Sequence, residues 1–129
     1  MLRAIGVLFL ALIVWMVVAT AGHRLMFVVW PAYAEATPLF SFTLAMKVFR
    51  LSLGAVSTLA AAAVARRLSA APWLPVALGC LLVALFVPQH YFLWSRFPVW
   101  YHVTFLASLI PLTVLGARIV PVRQAGTSA

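Results

Sequence analysis

The stretch from Leu39 to Ala65 reads LFSFTLAMKVFRLSLGAVSTLAAAAVA. It exceeds the roughly 20 apolar residues that carry a helix across about 30 Å of hydrocarbon. It lacks the strict alternation of a barrel strand, so it reads as a membrane helix. Its polar residues are ordered. Thr43, Lys47, Arg50, Gly54, Ser57 and Ala61 recur at steps of four and three, which draws one stripe down one helix face. The stripe is charged above and small below. Small residues at helical spacing let helices approach closely in lipid, so Gly54, Ser57, Thr58 and Ala61 are expected to form a packing face.

Three more apolar segments run from about Ala4 to Ala21, Trp73 to Leu93 and Val99 to Ala117. Backbone amides in lipid must be paired within their own segment, which again selects helices. The expected fold is all-α, an integral membrane four-helix bundle over residues 1–120. A short polar tail, residues 121–129, follows. Composition agrees. Hydrophobic residues make up 67% of the chain, against about 45–50% in soluble domains. Charged residues make up 8%, against about 25%. That excludes a soluble globular domain, which needs polar side chains to cover its surface, and intrinsic disorder, which needs low hydrophobicity. The +8 charge does not read as a nucleic-acid surface, because the basic residues punctuate apolar runs and do not cluster on one water-facing face.

Those basic residues set the orientation. Arg3, Arg66, Arg67, Arg118 and Arg123 fall on one side of a four-span chain, and Arg24 and Arg96 on the other. The positive-inside rule then places both termini in the cytoplasm. The abundance of arginine and alanine points to a GC-rich bacterial genome, and so to a bacterial inner membrane. Ala19-Thr20-Ala21 also resembles a signal-peptide cleavage site, but the apolar stretch before it, about 18 residues, exceeds the usual 7–15 or so. A retained first helix is expected. Cys80, the only cysteine, reads as a small packing residue of the third span.

Polar chemistry gathers in the two outward connections, Gly22 to Pro38 and Pro88 to Pro98, and just beyond them. Trp30, Tyr33, Trp94, Trp100 and Tyr101 read as an interfacial belt, since such rings carry an apolar body and a polar tip. His23, Arg24, His90, Arg96 and His102 form an expected outer-face polar cluster. Imidazole and carboxylate can hold zinc, copper or iron, but no two histidines show a helical ligand spacing. Neither metal nor cofactor is expected, and a metal or haem site stands as a minor alternative.

The candidate ligand-binding residues are Lys47, Arg50 and Glu35. Arg50 lies sixteen residues before Arg66, about 24 Å at 1.5 Å per residue, which puts it roughly 6 Å below the outer edge of a core about 30 Å thick. It can snorkel that far or point into the bundle. Glu35, the only acid, is the expected counter-charge. One acid cannot neutralise both cations, which leaves room for an anionic lipid or small anion.

There is no Asp, hence no Ser-His-Asp triad, and no pair of carboxylates for acid–base work. Proton-coupled transport commonly uses intramembrane acids, and none is present in the spans. Glu35-Ala-Thr-Pro38-Leu-Phe40 resembles, over six residues, a motif of the membrane-associated eicosanoid and glutathione enzymes. The basic and amide positions of that family fall at Val28 and Pro31, which do not fit, so a glutathione-type enzyme is only a minor alternative. The leading expectation is a non-enzymatic accessory or interaction subunit that presents aromatic outer loops, as a homo-oligomer or bound to a larger membrane partner. The competing expectation is a small transporter or lipid-handling protein that draws an anionic group to Lys47 and Arg50.

Overall fold

A computed structural model describes residues 1–122, and they are helical with no strand among them. The order is α1 (Leu2–Val29), α2 (Pro31–Leu39), α3 (Leu44–Leu68), α4 (Leu74–Phe92) and α5 (Val99–Ile119). Four of the helices, α1, α3, α4 and α5, are long and apolar enough to cross a membrane. The chain is a multi-pass membrane protein built as a four-helix bundle, with α2 as a short extra helix at one end. The tail from Arg123 to Ala129 lies outside the described residues.

The first outward connection is not a loop. α1 continues to Val29, because nothing between Gly22 and Trp30 breaks a helix. The break comes at Pro31, which has no N–H to donate and disfavours helical backbone in the residue before it. Trp30 accordingly turns to φ −132° and ψ 81°. Pro31 then opens α2, the position where proline is tolerated. Phe40 closes α2 in the left-handed region, at φ 53°. α3 starts with a side-chain cap. The Thr43 hydroxyl accepts from the Met46 amide at 3.3 Å, and the Met46 sulfur accepts from the Thr43 amide at 3.5 Å. Pro88 and Pro111 neither stop nor shorten their helices.

Packing runs α1 on α3, α3 on α5, and α5 on α4, with slight contact between α1 and α4. The small face of α3 is used inside the chain. Gly54, Ser57, Thr58, Ala61, Ala62 and Ala65 are all buried. A methyl group on Gly54 would come within 2.7 Å of the Phe105 ring, and one on Gly116 within 2.9 Å of the Leu59 carbonyl. The stripe is therefore an internal seam and is not a face left over for a second copy. Trp15 of α1 ties into it by donating to the Thr58 hydroxyl at 3.0 Å, and that hydroxyl donates to the Gly54 carbonyl at 2.8 Å.

One sequence expectation for a helix face needs correction. Cys80 is exposed, so it lies on the outside of the bundle and packs nothing. In α5 the buried stripe is Tyr101, His102, Phe105, Leu109, Thr113 and Gly116. The polar row of Thr104, Ser108 and Pro111 points away, because serine and threonine can satisfy their hydroxyls on their own helix. The Ser108 hydroxyl does so, donating to the Phe105 carbonyl at 2.8 Å.

The ends of the bundle differ in residue type. Arg3 donates to the Leu68 carbonyl at 3.2 Å, and Arg66 to the Ala70 carbonyl at 3.1 Å. Arg66 and Arg118 line one shallow recess with Pro72 and Pro75. The start of α1, the α3–α4 connection and the end of α5 therefore share one arginine-rich end. The aromatic and histidine residues share the other.

Candidate functional site

Arg50 organises the second end. Its guanidinium donates from Nη1 to the Tyr33 hydroxyl at 3.0 Å and from Nε to the Tyr101 hydroxyl at 3.3 Å. Its carbon centre sits 4.8 Å from the Phe42 ring centroid and 5.7 Å from that of Phe97. Cation–π contacts of this kind contribute from about 0.5 to 2 kcal/mol, the most where water is excluded. Arg50 is thus clamped by phenols and phenyl rings where a carboxylate was expected.

α2 makes this clamp possible. It folds over the end of the bundle and carries Tyr33, 0% exposed, into the aromatic cluster. Tyr33 packs among Phe27, Trp30, Phe42 and Phe49, with ring centroids 5.5–5.9 Å away. Its hydroxyl already accepts from Arg50, so its single proton goes to His23 Nδ1 at 2.8 Å. Burial pushes the Tyr33 phenol above its ordinary value of 10, against an opposing pull from the Arg50 charge. The proton that bridges to His23 is held accordingly.

A second relay stands across the bundle. His90 and His102 meet through their Nδ1 atoms at 2.7 Å, and His102 Nε2 lies 3.3 Å from the Trp94 carbonyl. A carbonyl only accepts, so His102 carries its proton on Nε2. In a neutral His102, Nδ1 is then the acceptor, and His90 donates to it from its own Nδ1. A second cation here would stand near Arg50 with no carboxylate to meet it, a costly arrangement in low dielectric. His90 is stacked on Phe105, centroid to centroid 4.7 Å. His102 is stacked on Trp94, also at 4.7 Å.

Both arrangements border one cavity of about 240 Å³. That is on the order of eight waters at about 30 Å³ each. Trp15, Leu53, Phe86 and Phe105 make its apolar part, and His23, Arg50, Gln89 and His90 its polar part. Lining residues on α1 and α4 are open to the outside: Met16 is 59% exposed, and Thr20 and Gln89 are exposed as well. The cavity mouth therefore lies between α1 and α4, which touch only slightly.

Two polar atoms of its lining residues are left unpaired. Arg50 Nη2 and His90 Nε2 have no hydrogen-bond partner among the described residues. No fully buried side-chain nitrogen or oxygen there lacks a partner either. Neither atom is therefore fully buried, and Arg50 and His90 both line the cavity.

The structure sorts the sequence candidates. It brings Arg50, His23, His90 and His102 together. It leaves Lys47 off the cavity wall and places Glu35 on the exposed face of α2. Arg24 and Arg96 are exposed, and Arg96 lies 5.5 Å over the Phe40 ring. Tyr33 and Tyr101 are buried inside the protein, whereas Trp94 and Trp100 are 51% and 42% exposed. Trp15 and Phe86 were missed as site residues because their sequence surroundings are uniformly apolar. No group of three or more His, Cys, Asp or Glu side chains is placed to hold a metal among the described residues. Compared with protein-family models, curated proteins and solved structures, the chain shows no significant match to any.

Proposed function

We propose that this protein binds the head group of an anionic amphiphile, which enters the cavity sideways from the bilayer. The observation that supports this most is Arg50. Its charge is half-buried among rings and phenols, no carboxylate bonds to it, one guanidinium nitrogen is left unpaired, and the residue lines a cavity with an apolar floor. Intramembrane cations are expensive and generally serve a partner or a ligand. The depth fits. Arg50 and His90 each stand sixteen residues above the start of the arginine-rich end, counted from Arg66 and Leu74, about 24 Å at 1.5 Å per residue. A mouth between α1 and α4 at that height faces lipid.

In this reading the arginine-rich end is cytoplasmic, the membrane is a bacterial inner membrane, and the cavity serves its outer leaflet. The role is lipid handling or small-scale transport, not catalysis. The test uses protein in phosphatidylcholine nanodiscs containing dioleoyl phosphatidylglycerol, with bound lipid counted by native mass spectrometry. Retention of the anionic lipid is expected. Arg50→Gln is expected to weaken it roughly tenfold or more, since a hydrogen bond to a charged group contributes about 1.5–3 kcal/mol. Lys47→Gln is expected to leave it unchanged. Equal retention by Arg50→Gln would overturn the proposal.

A second reading keeps the accessory or interaction subunit. Tyr91, Phe92 and Trp94 are 74%, 79% and 51% exposed at the same end, a surface on which a membrane partner or a second copy could dock. Copurification of a stoichiometric protein whose binding is lost with Phe92→Ala, and not with Arg50→Gln, would favour it.

A further inference from the structure

The cavity offers its ligand a cation and, beside it, a lone pair. We infer that it selects phosphate monoesters of the bilayer, and that His90 Nε2 accepts a hydrogen bond from the P–OH while Arg50 holds the other phosphate oxygens. This rests on the reading of Arg50 as an anion-binding residue and adds the chemical class.

The bare nitrogen follows from the chain Trp94 carbonyl, His102, His90. Each step is fixed by the one before. The carbonyl holds the His102 proton on Nε2, so His102 Nδ1 is an acceptor, so His90 Nδ1 carries the proton, so His90 Nε2 does not. An anion binder needs donors only, and a nitrogen lone pair aimed at a carboxylate or a phosphodiester would repel it. A ligand that satisfies both atoms must carry an anionic oxygen and a proton donor close together. Closeness is set by Tyr101, whose hydroxyl bonds Arg50 and whose ring stacks on His90 at 6.1 Å between centroids. We take one small group to meet both. A hydrogenphosphate carries acceptor oxygens and a P–OH on a single phosphorus, whereas a diester has lost the P–OH. The apolar floor of Trp15, Phe86 and Phe105 takes the start of the acyl portion.

The experiment compares three lipids in phosphatidylcholine nanodiscs at about pH 5, where a phosphate monoester keeps its P–OH. They are dioleoyl phosphatidic acid, dioleoyl phosphatidylmethanol and dioleoyl phosphatidylglycerol. Soluble glycerol 3-phosphate is added as a competitor. The wild-type chain is expected to hold phosphatidic acid about tenfold better than either diester, the worth of one charge-assisted hydrogen bond. His90→Phe keeps a ring for the stack on Phe105 and removes the lone pair. It is expected to bring the preference down about tenfold while diester binding, and with it the fold, is retained. At that pH the monoester and the diesters each carry about one negative charge, so the change in preference reports Nε2 and not charge. His102→Phe is expected to lower the preference with His90 intact, because it releases the proton position of His90. That makes His102 a positioning residue.

Equal binding of monoester and diester by the wild type would overturn the inference, as would a preference that survives His90→Phe. Phosphatidylglycerol held as well as phosphatidic acid would assign the donor to an alcohol and overturn the monoester class. If no anionic lipid is held, or none responds to Arg50→Gln, the proposed function itself fails. Glycerol 3-phosphate that competes at the affinity of the lipid would keep the phosphate class and overturn the entry from the bilayer.

Discussion

Tyr33 has its hydroxyl shared by Arg50 and His23 and its ring enclosed by four aromatic neighbours. Its phenol is held above the ordinary value of 10 by burial. The sign of the linkage follows. The unfolded chain ionises its tyrosines first, so this contribution to stability is complete below pH 10 and falls as pH rises towards the folded value. In detergent the wild type is expected to lose thermal stability above that point, and Tyr33→Phe to lose less, although starting lower. Thermal unfolding followed across the alkaline range reads this directly, and parallel curves for the two proteins would reject it. Sequence reasoning put Tyr33 in an interfacial belt. A tyrosine in a belt and a tyrosine folded under a short helix have the same immediate neighbours in sequence, and only the turn at Pro31 separates them.

Between elements, glycine decides how closely helices cross. A methyl group on Gly79 of α4 would come within 2.9 Å of the Ile110 α-carbon and 2.7 Å of the Thr113 hydroxyl. A backbone atom cannot move aside cheaply. Gly79→Val is expected to lower stability by about 1–3 kcal/mol, the usual scale of overpacking. Gly6 of α1 has nothing within 4 Å of that position. Gly6→Ala is expected to leave stability unchanged or raise it by at most about 1 kcal/mol through helix propensity. Unfolding midpoints of the two variants in one detergent compare them, and equal losses would show that the crossing of α4 and α5 is not limited by Gly79. The stripe on α3 was legible, because a period of 3.6 survives in any alignment of small residues. Its partner was not legible, and the packing face is filled by α1 and α5.

For the whole molecule, the arginine-rich end and the aromatic end make a topology prediction. Reporters active only outside the cytoplasm are expected to stay silent when fused at either terminus and to be active when inserted after Glu35. Activity at a terminus would invert the orientation and move the cavity to the inner leaflet. α1 has 28 residues, about 42 Å at 1.5 Å per residue, more than the thickness of the hydrocarbon. That excess carries His23 up to Tyr33 and lets α2 return over the end of the bundle. A first helix that stopped at Ala21, as its apolar run suggests, would leave Arg50 with neither phenol chain nor histidine on that side.

The amino-acid sequence by itself determined the class of the protein and its four spans, and it marked Lys47 and Arg50 as the charges in need of explanation. These are properties of composition and period, and lipid enforces them segment by segment. Only the tertiary structure decided who meets Arg50. It chose Tyr33 and Tyr101 over Glu35, set Lys47 aside, and joined His90 to His102 through a shared proton. The reason is geometric. Those partners lie up to 51 positions apart and come together through the order in which helices pack and through one proline turn, neither of which leaves a local signature along the chain.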